Sequence, residues 1–185
     1  MSAPYTGSGI EVDALCELIV VGGGAASRSL SSVLGRRILS RPPVVRRASE
    51  MLRTGARGPV VSFDASGELD GLVTFSLDES SGESLLPQLL GRNDAISTAE
   101  AASVICELAN IVASQSVSAI ADAIGARILI SVPTLASSDV LAFRVGELRA
   151  ELRVESELLD REGDVQALLA FYPRATKRAS ETSLA

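Results

Sequence analysis

The sequence predicts a layered α/β (α+β) domain made of two copies of one helix-then-strands unit, related by a pseudo-two-fold axis. Long helical patterns occur at 11–34 and 98–124, where apolar residues recur with the period of an α-helix. Each is followed by segments that alternate between apolar and polar residues, as the strands of antiparallel hairpins do. We therefore expect a mainly antiparallel sheet with two long, equivalent helices.

The duplication is visible in the sequence itself. A displacement of 90 residues aligns 13–45 with 103–135 without a gap, and eight of the 33 positions are identical, where roughly two or three matches are expected by chance. We therefore expect a single domain over 11–173, composed of pseudo-repeats at about 11–92 and 93–173. The identical pairs are Cys16/Cys106, Glu17/Glu107, Leu18/Leu108, Gly35/Gly125, Arg37/Arg127, Ile38/Ile128, Leu39/Leu129 and Pro43/Pro133.

The first repeat is predicted to open with a helix over 11–34, softened in its middle by the glycines at 22–24. A short strand at 43–47 and a helical turn at 49–54 follow it.

A hairpin comes next in the prediction, with strands at 60–64 and 68–77 joined by a turn at 65–67. A short helix at 84–90 then ends at Gly91, because glycine is a frequent helix terminator.

The second repeat is predicted to open with a helix over Thr98–Ile124, with Ser97 or Thr98 as its N-terminal cap and Gly125 at its end. A strand over Arg127–Val132 is closed by Pro133.

The pattern at 139–143 is ambiguous between helix and strand. Strands at 147–159 and 165–172 flank a charged turn at 160–164 and form a second hairpin. The polar tail at 174–185 is expected to be mobile.

The composition excludes several classes of function. The 185 residues contain no histidine, which rules out Ser-His-Asp triads, Cys-His dyads and histidine-containing zinc sites. Acids outnumber bases 23 to 17 and the net charge is −6, so nucleic acid is not expected as a partner. Two cysteines cannot form a disulfide scaffold and suit a reducing cytosol.

The ends of the chain and its apolar runs predict a location. The N-terminal segment 1–10 is polar and has no basic stretch followed by an apolar core. No apolar run approaches the roughly 18 residues of a membrane span. We therefore expect a soluble, cytoplasmic protein without a membrane partner.

Charge is unevenly distributed. Residues 28–57 contain eight arginines and one acid, Glu50, whereas the chain from residue 93 onward has eight bases and 13 acids. Such a basic stretch can dock an acidic protein surface, although scattered, solvated arginines are the favoured interpretation. The arginines are Arg28, Arg36, Arg37, Arg41, Arg46, Arg47, Arg53 and Arg57.

The helix over Thr98–Ile124 has one narrow polar stripe. At about 100° per residue, five polar side chains fall within about 80° of arc, and Glu107 and Asn110 are neighbours at i and i+3. Its side chains are short, unlike those of a solvated face rich in lysine and arginine. The five are Glu100, Ser103, Glu107, Asn110 and Ser114.

Four residues of the second repeat follow a specific spacing, Ser103-x3-Glu107-x2-Asn110-x22-Pro133. This spacing resembles the signature of the CheC/CheX family of chemotaxis phosphatases, which is Asp or Ser, three residues, Glu, two residues, Asn, twenty-two residues, Pro. All four positions match with their gaps intact, and the two-copy layout resembles CheC most.

The first repeat contains a degraded copy of this motif. It has Asp13, Glu17 and Pro43 at the matching positions, but Val20 stands where the motif has asparagine. The resemblance therefore implies one intact and one degraded site.

The resemblance implies a phosphatase for the aspartyl phosphate of CheY-type receiver domains in chemotaxis or related two-component signalling. The receiver supplies Mg²⁺ and a lysine, so the phosphatase has no cofactor or metal of its own and needs only to place a water in line with the phosphorus. Asn110 would orient that water, and Glu107 would pair with the receiver's lysine. Ser103 and Pro133 would support the motif structurally.

Two alternatives remain open at this point. The first is a non-catalytic CheC-like binding or adaptor module, which partners a CheD-like protein or acts like the flagellar switch proteins. The second is a dinucleotide-binding oxidoreductase, because Leu18–Ser27 resembles a strand followed by a glycine turn. The third glycine of that motif is replaced by Ser27, and no acid follows at 40–47.

Two further features are expected to be structural. Cys16 and Cys106 are equivalent under the repeat and suit small buried positions. The acids of the turn at 160–164 have oxygen ligands of the kind that bind a metal, but a solvated hairpin tip is the favoured interpretation.

Overall fold

The computed structural model describes residues 11–50, 58–162 and 164–175. The predicted N-terminal segment 1–10, most of the tail 174–185 and most of the helical turn at 49–54 lie outside these residues. The helices are α1 (Val12–Leu34), α2 (Glu79–Leu90), α3 (Thr98–Ile124) and α4 (Ser138–Leu148), with a 3₁₀ turn at Ala48–Glu50. The strands are β1 (Ile38–Ser40), β2 (Val44–Arg47), β3 (Val60–Gly67), β4 (Gly71–Leu77), β5 (Ile128–Ile130), β6 (Thr134–Ala136), β7 (Leu152–Asp160) and β8 (Gln166–Pro173).

The strands form one sheet with antiparallel pairing, in the order β1-β7-β8-β4-β3-β5, with β2 also paired to β7 and β6 to β3. The order reads the same from both ends once β7 and β8 are taken as the equivalents of β3 and β4. The short strands of each repeat thus pair with the hairpin of the other repeat. This arrangement confirms the predicted pseudo-two-fold fold with two long helices, whereas the domain boundaries stay predictions.

The turn predicted at 65–67 is wrong. Strand β3 continues through Gly67, because Ala65, Ser66 and Gly67 pair with β5 of the second repeat, and the last two lie beyond the end of the pairing with β4 at Ala65. Gly67 has a φ of 110°, and a Cβ atom there would lie 2.2 Å from the carbonyl oxygen of Arg127. The sequence shows only the local turn signal, whereas pairing with a strand distant in the chain extends β3.

Helix α2 begins five residues before the predicted start at 84. Asp78 caps it by accepting a hydrogen bond from the Ser81 N–H group at 3.1 Å. The ambiguous segment at 139–143 lies in α4, which extends to Leu148. Ser137 caps this helix because its hydroxyl oxygen accepts a hydrogen bond from the Val140 N–H group. The strand predicted at 147–159 therefore begins only at Leu152.

Two layers of helix cover the sheet. Helices α1, α2 and α3 pack on one face around the main core, and α4 covers part of the other face around Leu72 and Tyr172. The main core is built on the inward residues of β3, β4, β7 and β8, among them Phe63, Phe75 and Leu158. The sheet thereby holds α1 and α3 side by side, with one face of each helix outward.

Helix α3 is long and apolar enough to cross a membrane by length and composition alone, which the sequence analysis did not expect. Its apolar residues Leu108, Val112 and Ile120 are buried in the core shared with α1 and the sheet. This apolar side of the helix is therefore occupied by contacts within the fold.

Candidate functional site

The site helix α3 is fixed at its start by a capping box. Ser97 Oγ accepts a hydrogen bond from the Glu100 N–H group, and a Glu100 carboxylate oxygen accepts one from the Ser97 N–H group at 3.0 Å. These bonds and the Arg92 guanidinium lower the pKa of Glu100. Although Glu100 falls within the predicted polar stripe, its carboxylate belongs to the cap and not to the site.

The remaining stripe lies on the outward side of α3. Ser103 and Glu107 are exposed and Asn110 is half-buried. The Ser114 hydroxyl lies 3.5 Å from Asn110 Oδ1, at the outer limit of a hydrogen bond. On the opposite side of the helix, Ala109 is fully buried. The core thus sets the rotation of α3 and turns the carboxylate and the carboxamide together toward solvent.

The segment after α3 brings Pro133 to the side of the site. Pro133 is half-buried between β5 and β6. Cys106, one residue before Glu107, has its thiol against the backbone of Leu135 in β6. Burial raises the pKa of the Cys106 thiol, and the contact with Leu135 opposes that rise. The strand after the motif proline therefore lies against the helix that holds Glu107 and Asn110.

The first repeat places its degraded motif on the equivalent outward side of α1. Asp13 and Glu17 are exposed, Val20 is 55% exposed, and Pro43 is half-buried. Burial raises the pKa of Cys16, and the negative charge of Asp13 raises it further. A raised pKa makes a thiol less reactive, in keeping with the structural role predicted for both cysteines.

An open helix face with a carboxylate and a carboxamide can do limited chemistry alone. An amide accepts a hydrogen bond through its oxygen and donates through its nitrogen, and a carboxylate pairs with a cation. The pair can thus hold a water and a cationic group on a partner that docks against α3.

Close packing, not nucleotide binding, explains Gly22 and Gly23 of the segment Leu18–Ser27. This segment is continuous helix within α1, so the strand-turn-helix of a dinucleotide site does not form. A Cβ atom at Gly22 would lie 2.5 Å from Ser116 Oγ, and one at Gly23 would lie 2.6 Å from Ser40 Oγ.

The arginine-rich stretch is partly neutralised within the fold. Three arginines pair with acids of β7, but Arg41 and Arg46 stay exposed to solvent, as expected, and Arg36 is partly buried. Arg53 and Arg57 lie outside the described residues. The pairs are Arg36–Asp160, Arg41–Glu157 and Arg46–Glu155, at 3.2, 3.1 and 2.5 Å.

The acids at the tip of the second hairpin lie close together. Carboxylate oxygens of Asp160, Glu162 and Asp164 are within 4.8 Å of one another. Asp160 is buried, pairs with Arg36 and accepts a hydrogen bond from the Val165 N–H group at 3.3 Å. These contacts give the Asp160 carboxylate a structural role, while Glu162 and Asp164 are solvated.

The fold is shared with solved structures of chemotaxis and flagellar proteins. FliY from Thermotoga maritima matches with a TM-score of 0.63 at 19% identity, over 87% of this chain and 88% of FliY. The complex of CheX with CheY, BeF₃ and Mg²⁺ from Borrelia burgdorferi matches with a TM-score of 0.63 at 17% identity, over 86% of this chain and 99% of the other. The FliM middle domain from Vibrio alginolyticus matches with a TM-score of 0.59 at 12% identity, over 86% and 95%.

These matches define the class: a domain with the fold of CheC-like and CheX-like chemotaxis proteins. Residues 100–137 match the model of the CheC-like family, and this segment contains Ser103, Glu107, Asn110 and Pro133. The resemblance drawn from the motif is therefore confirmed for this segment. No curated protein shows significant sequence similarity to the chain.

Proposed function

We propose that this protein is a phosphatase that hydrolyses the aspartyl phosphate of a CheY-type receiver domain, in chemotaxis or a related two-component pathway. The observation that carries the proposal is the joint outward position of Glu107 and Asn110 within the segment that matches the CheC-like family. The CheX structure that matches this fold was solved with CheY.

Asn110 is assigned the central role. Its carboxamide oxygen accepts a hydrogen bond from the attacking water, and its amide nitrogen donates to a phosphoryl oxygen. The water is thereby held in line with the phosphorus, and positioning of this kind is a large part of catalysis in phosphoryl transfer. The water adds to phosphorus, the bond to the aspartyl oxygen breaks, and inorganic phosphate leaves.

Glu107 is assigned to docking. Its exposed carboxylate lies one helical turn before Asn110 and pairs with the lysine of the receiver's active site. Ser103 and Pro133 support the helix and the strand beside it.

The receiver supplies the Mg²⁺ that this proposal requires, and the protein contributes no metal ligand of its own. A cytoplasmic location is part of the same proposal, because receiver domains and two free cysteines both suit a reducing compartment.

The direct test is Mg²⁺-dependent phosphate release from a phosphorylated receiver. Wild-type protein should accelerate release, and Asn110→Ala should lose about 100-fold of that acceleration while it still binds the receiver. Glu107→Lys should lose binding. Ser118→Ala, exposed on the same helix two turns further on, is the matched control and should keep wild-type activity.

A second candidate function is a non-catalytic adaptor, which binds a CheD-like protein or a switch component. The match to the FliM middle domain favours it, because the same fold then serves a flagellar protein. Receiver binding without any acceleration of phosphate release, across several receivers, would select this function over the phosphatase.

A further inference from the structure

A cavity of about 440 Å³ lies against strands β4, β7 and β8, with Arg41, the residue after β1, at one side. Pockets that bind small molecules have volumes of about 300–1,000 Å³, so this cavity has room for a ligand. The residues of the site on α3 do not line it. It is therefore a separate feature of the molecule.

The pleat of the sheet decides which side chains enter the cavity. Leu77 belongs to the main core beneath α1 and α3, so its neighbour Ser76 points to the other face of the sheet. Ser76 is paired with Val60, whose side chain is in the core cluster under α4, in agreement with this direction. Leu168 lies opposite Ser76, and Glu157 lies opposite Leu168. These three side chains form a row across the floor of the cavity.

The inner end of this row has an unsatisfied hydroxyl group. Ser76 is 5% exposed, and its hydroxyl forms no hydrogen bond within the described part of the chain. Burial of such a group is costly unless a partner reaches it. The Asp78 carboxylate nearby is engaged by the Ser81 N–H group and the Ser80 hydroxyl and repels an anion. The chemistry at this end therefore suits a neutral hydrogen-bonding group.

The middle of the floor is apolar and the outer end is charged. Leu168 and Leu159 are half-buried, and Leu159 lies two residues after Glu157, hence on the same face. At the outer end, Arg41 Nη1 donates to Glu157 Oε2 at 3.1 Å, and both side chains are exposed. Neighbouring strands are about 4.8 Å apart, so Glu157 is about 10 Å from Ser76 across two strand spacings.

We propose that this cavity binds a small α-amino acid whose apolar side chain ends in a hydrogen-bonding group. The Arg41 guanidinium pairs with its carboxylate, and Glu157 pairs with its ammonium group. Leu159 and Leu168 contact the apolar body, and the Ser76 hydroxyl bonds to the terminal group. The inference is independent of the proposed phosphatase activity, because the cavity lies across the sheet from the site on α3.

A ligand with a single charge is a poorer occupant. A carboxylate without an ammonium group meets the negative charge of Glu157, and an amine without a carboxylate meets the positive charge of Arg41. A zwitterion gives each member of the ion pair a partner of opposite charge and brings no net charge. The side-by-side arrangement of Arg41 and Glu157 therefore selects the class of ligand.

The test is calorimetric titration of the whole protein with L-tyrosine, which combines a zwitterion, an apolar ring and a terminal hydroxyl. L-Phenylalanine should bind about three- to ten-fold more weakly, because the Ser76 hydroxyl then stays without a partner. Tyramine lacks the carboxylate and 3-(4-hydroxyphenyl)propionate lacks the ammonium group. Each should bind at least about ten-fold more weakly than L-tyrosine.

Three variants assign the two ends of the ligand. Ser76→Ala should reduce the affinity for L-tyrosine to that for L-phenylalanine, with an unchanged urea midpoint because no hydrogen bond within the described residues is lost. Arg41→Gln should weaken binding of L-tyrosine about ten-fold but not that of tyramine. Glu157→Gln should weaken L-tyrosine equally but not the propionate. Arg127→Gln, exposed between α3 and β5, is the matched control and should bind as wild type.

Absence of saturable L-tyrosine binding at millimolar concentration would overturn the inference. Binding that all three variants leave unchanged would also overturn it, because the ligand would then lie elsewhere. Equal affinities for tyramine and L-tyrosine would contradict a zwitterion site in favour of a cation site. Phosphate release by the same protein tests the proposed function alone, so the failure of one proposal is distinguishable from the failure of the other.

Discussion

Gly22 of α1 lies directly against Ser116 of α3, and a Cβ atom at Gly22 would be 2.5 Å from Ser116 Oγ and 2.7 Å from Ile120 Cδ1. The two long helices therefore pack closely at this point. Because each helix is fixed by the other and by the sheet, the rotation that turns Glu17 and Glu107 outward is set by this contact.

Enlarging Gly22 should destabilise the fold. Gly22→Val places atoms inside the contact with Ser116 and Ile120, and overpacking of this kind costs about 1–3 kcal/mol. The matched control is Gly24→Ala, which has ordinary contact with Arg28 and should gain up to about 1 kcal/mol of helix propensity. Urea unfolding should show opposite shifts of the midpoint, and a stabilised Gly22→Val would contradict the close packing.

Removal of the Glu155 carboxylate should leave a buried cation. Arg153, whose side chain is 4% exposed, donates to Glu155 from Nε at 2.6 Å, and Arg46 donates to the other oxygen at 2.5 Å. Glu155→Ala should lower the free energy of unfolding by about 3 kcal/mol, because Arg153 stays desolvated without its partner.

Arg46→Ala is the control for that network. Arg46 is half-exposed, so its removal from the same glutamate should shift the unfolding midpoint far less. Equal effects of Glu155→Ala and Arg46→Ala would show that burial of Arg153 does not decide the stability of this region.

Stability should fall at high pH through Tyr172. Burial raises the pKa of this phenol to about 12, and the nearby Arg153 opposes the rise. The unfolded pKa is about 10, so this contribution is fully present below pH 10 and is lost as the pH rises to about 12. The loss is about 2–3 kcal/mol. When the free energy of unfolding is measured by urea titration from pH 9 to 12, Tyr172→Phe should reduce its decrease with rising pH. An unchanged decrease would show that other groups cause it.

The degraded motif copy should accept repair. Val20 is 55% exposed, so an amide at this position can reach a docked receiver. Val20→Asn in the Asn110→Ala background should restore measurable phosphate release, and Gly24→Ser should increase it further by supplying the hydroxyl that Ser114 provides on α3. Glu17→Lys alone should leave release by the site on α3 unchanged. Receiver binding without any recovery would count against hydrolysis at the motif copy on α1.

The sequence predicts best those features that depend on neighbouring residues. The bounds of α3, its Ser97 cap and its end at Gly125 are as predicted, because caps and glycine stops act within one helical turn. The motif spacing from Ser103 to Pro133 also lies within one helix and the next strand, so it is readable without a fold.

Errors arose where a distant segment decides the local structure. The pattern at 65–67 reads as a turn, but pairing with β5 extends β3 through Gly67. Glu100 lies at the right angle around the helix for the polar stripe, but its carboxylate is engaged in capping Ser97. The predicted start of α2 is too late because Asp78, its cap, lies in a polar stretch without a strong apolar period.

The two long helices, the duplicated unit and the motif that includes Glu107 and Asn110 can be predicted from the sequence alone. The pairing of charges and the exposure of apolar side chains depend on the tertiary structure. Arg36, Arg41 and Arg46 meet acids of β7 more than 100 residues away, and Val20 remains exposed on a helix whose other side is buried. Both outcomes depend on contacts between repeats, which local periodicity does not encode because burial is a property of the assembled core.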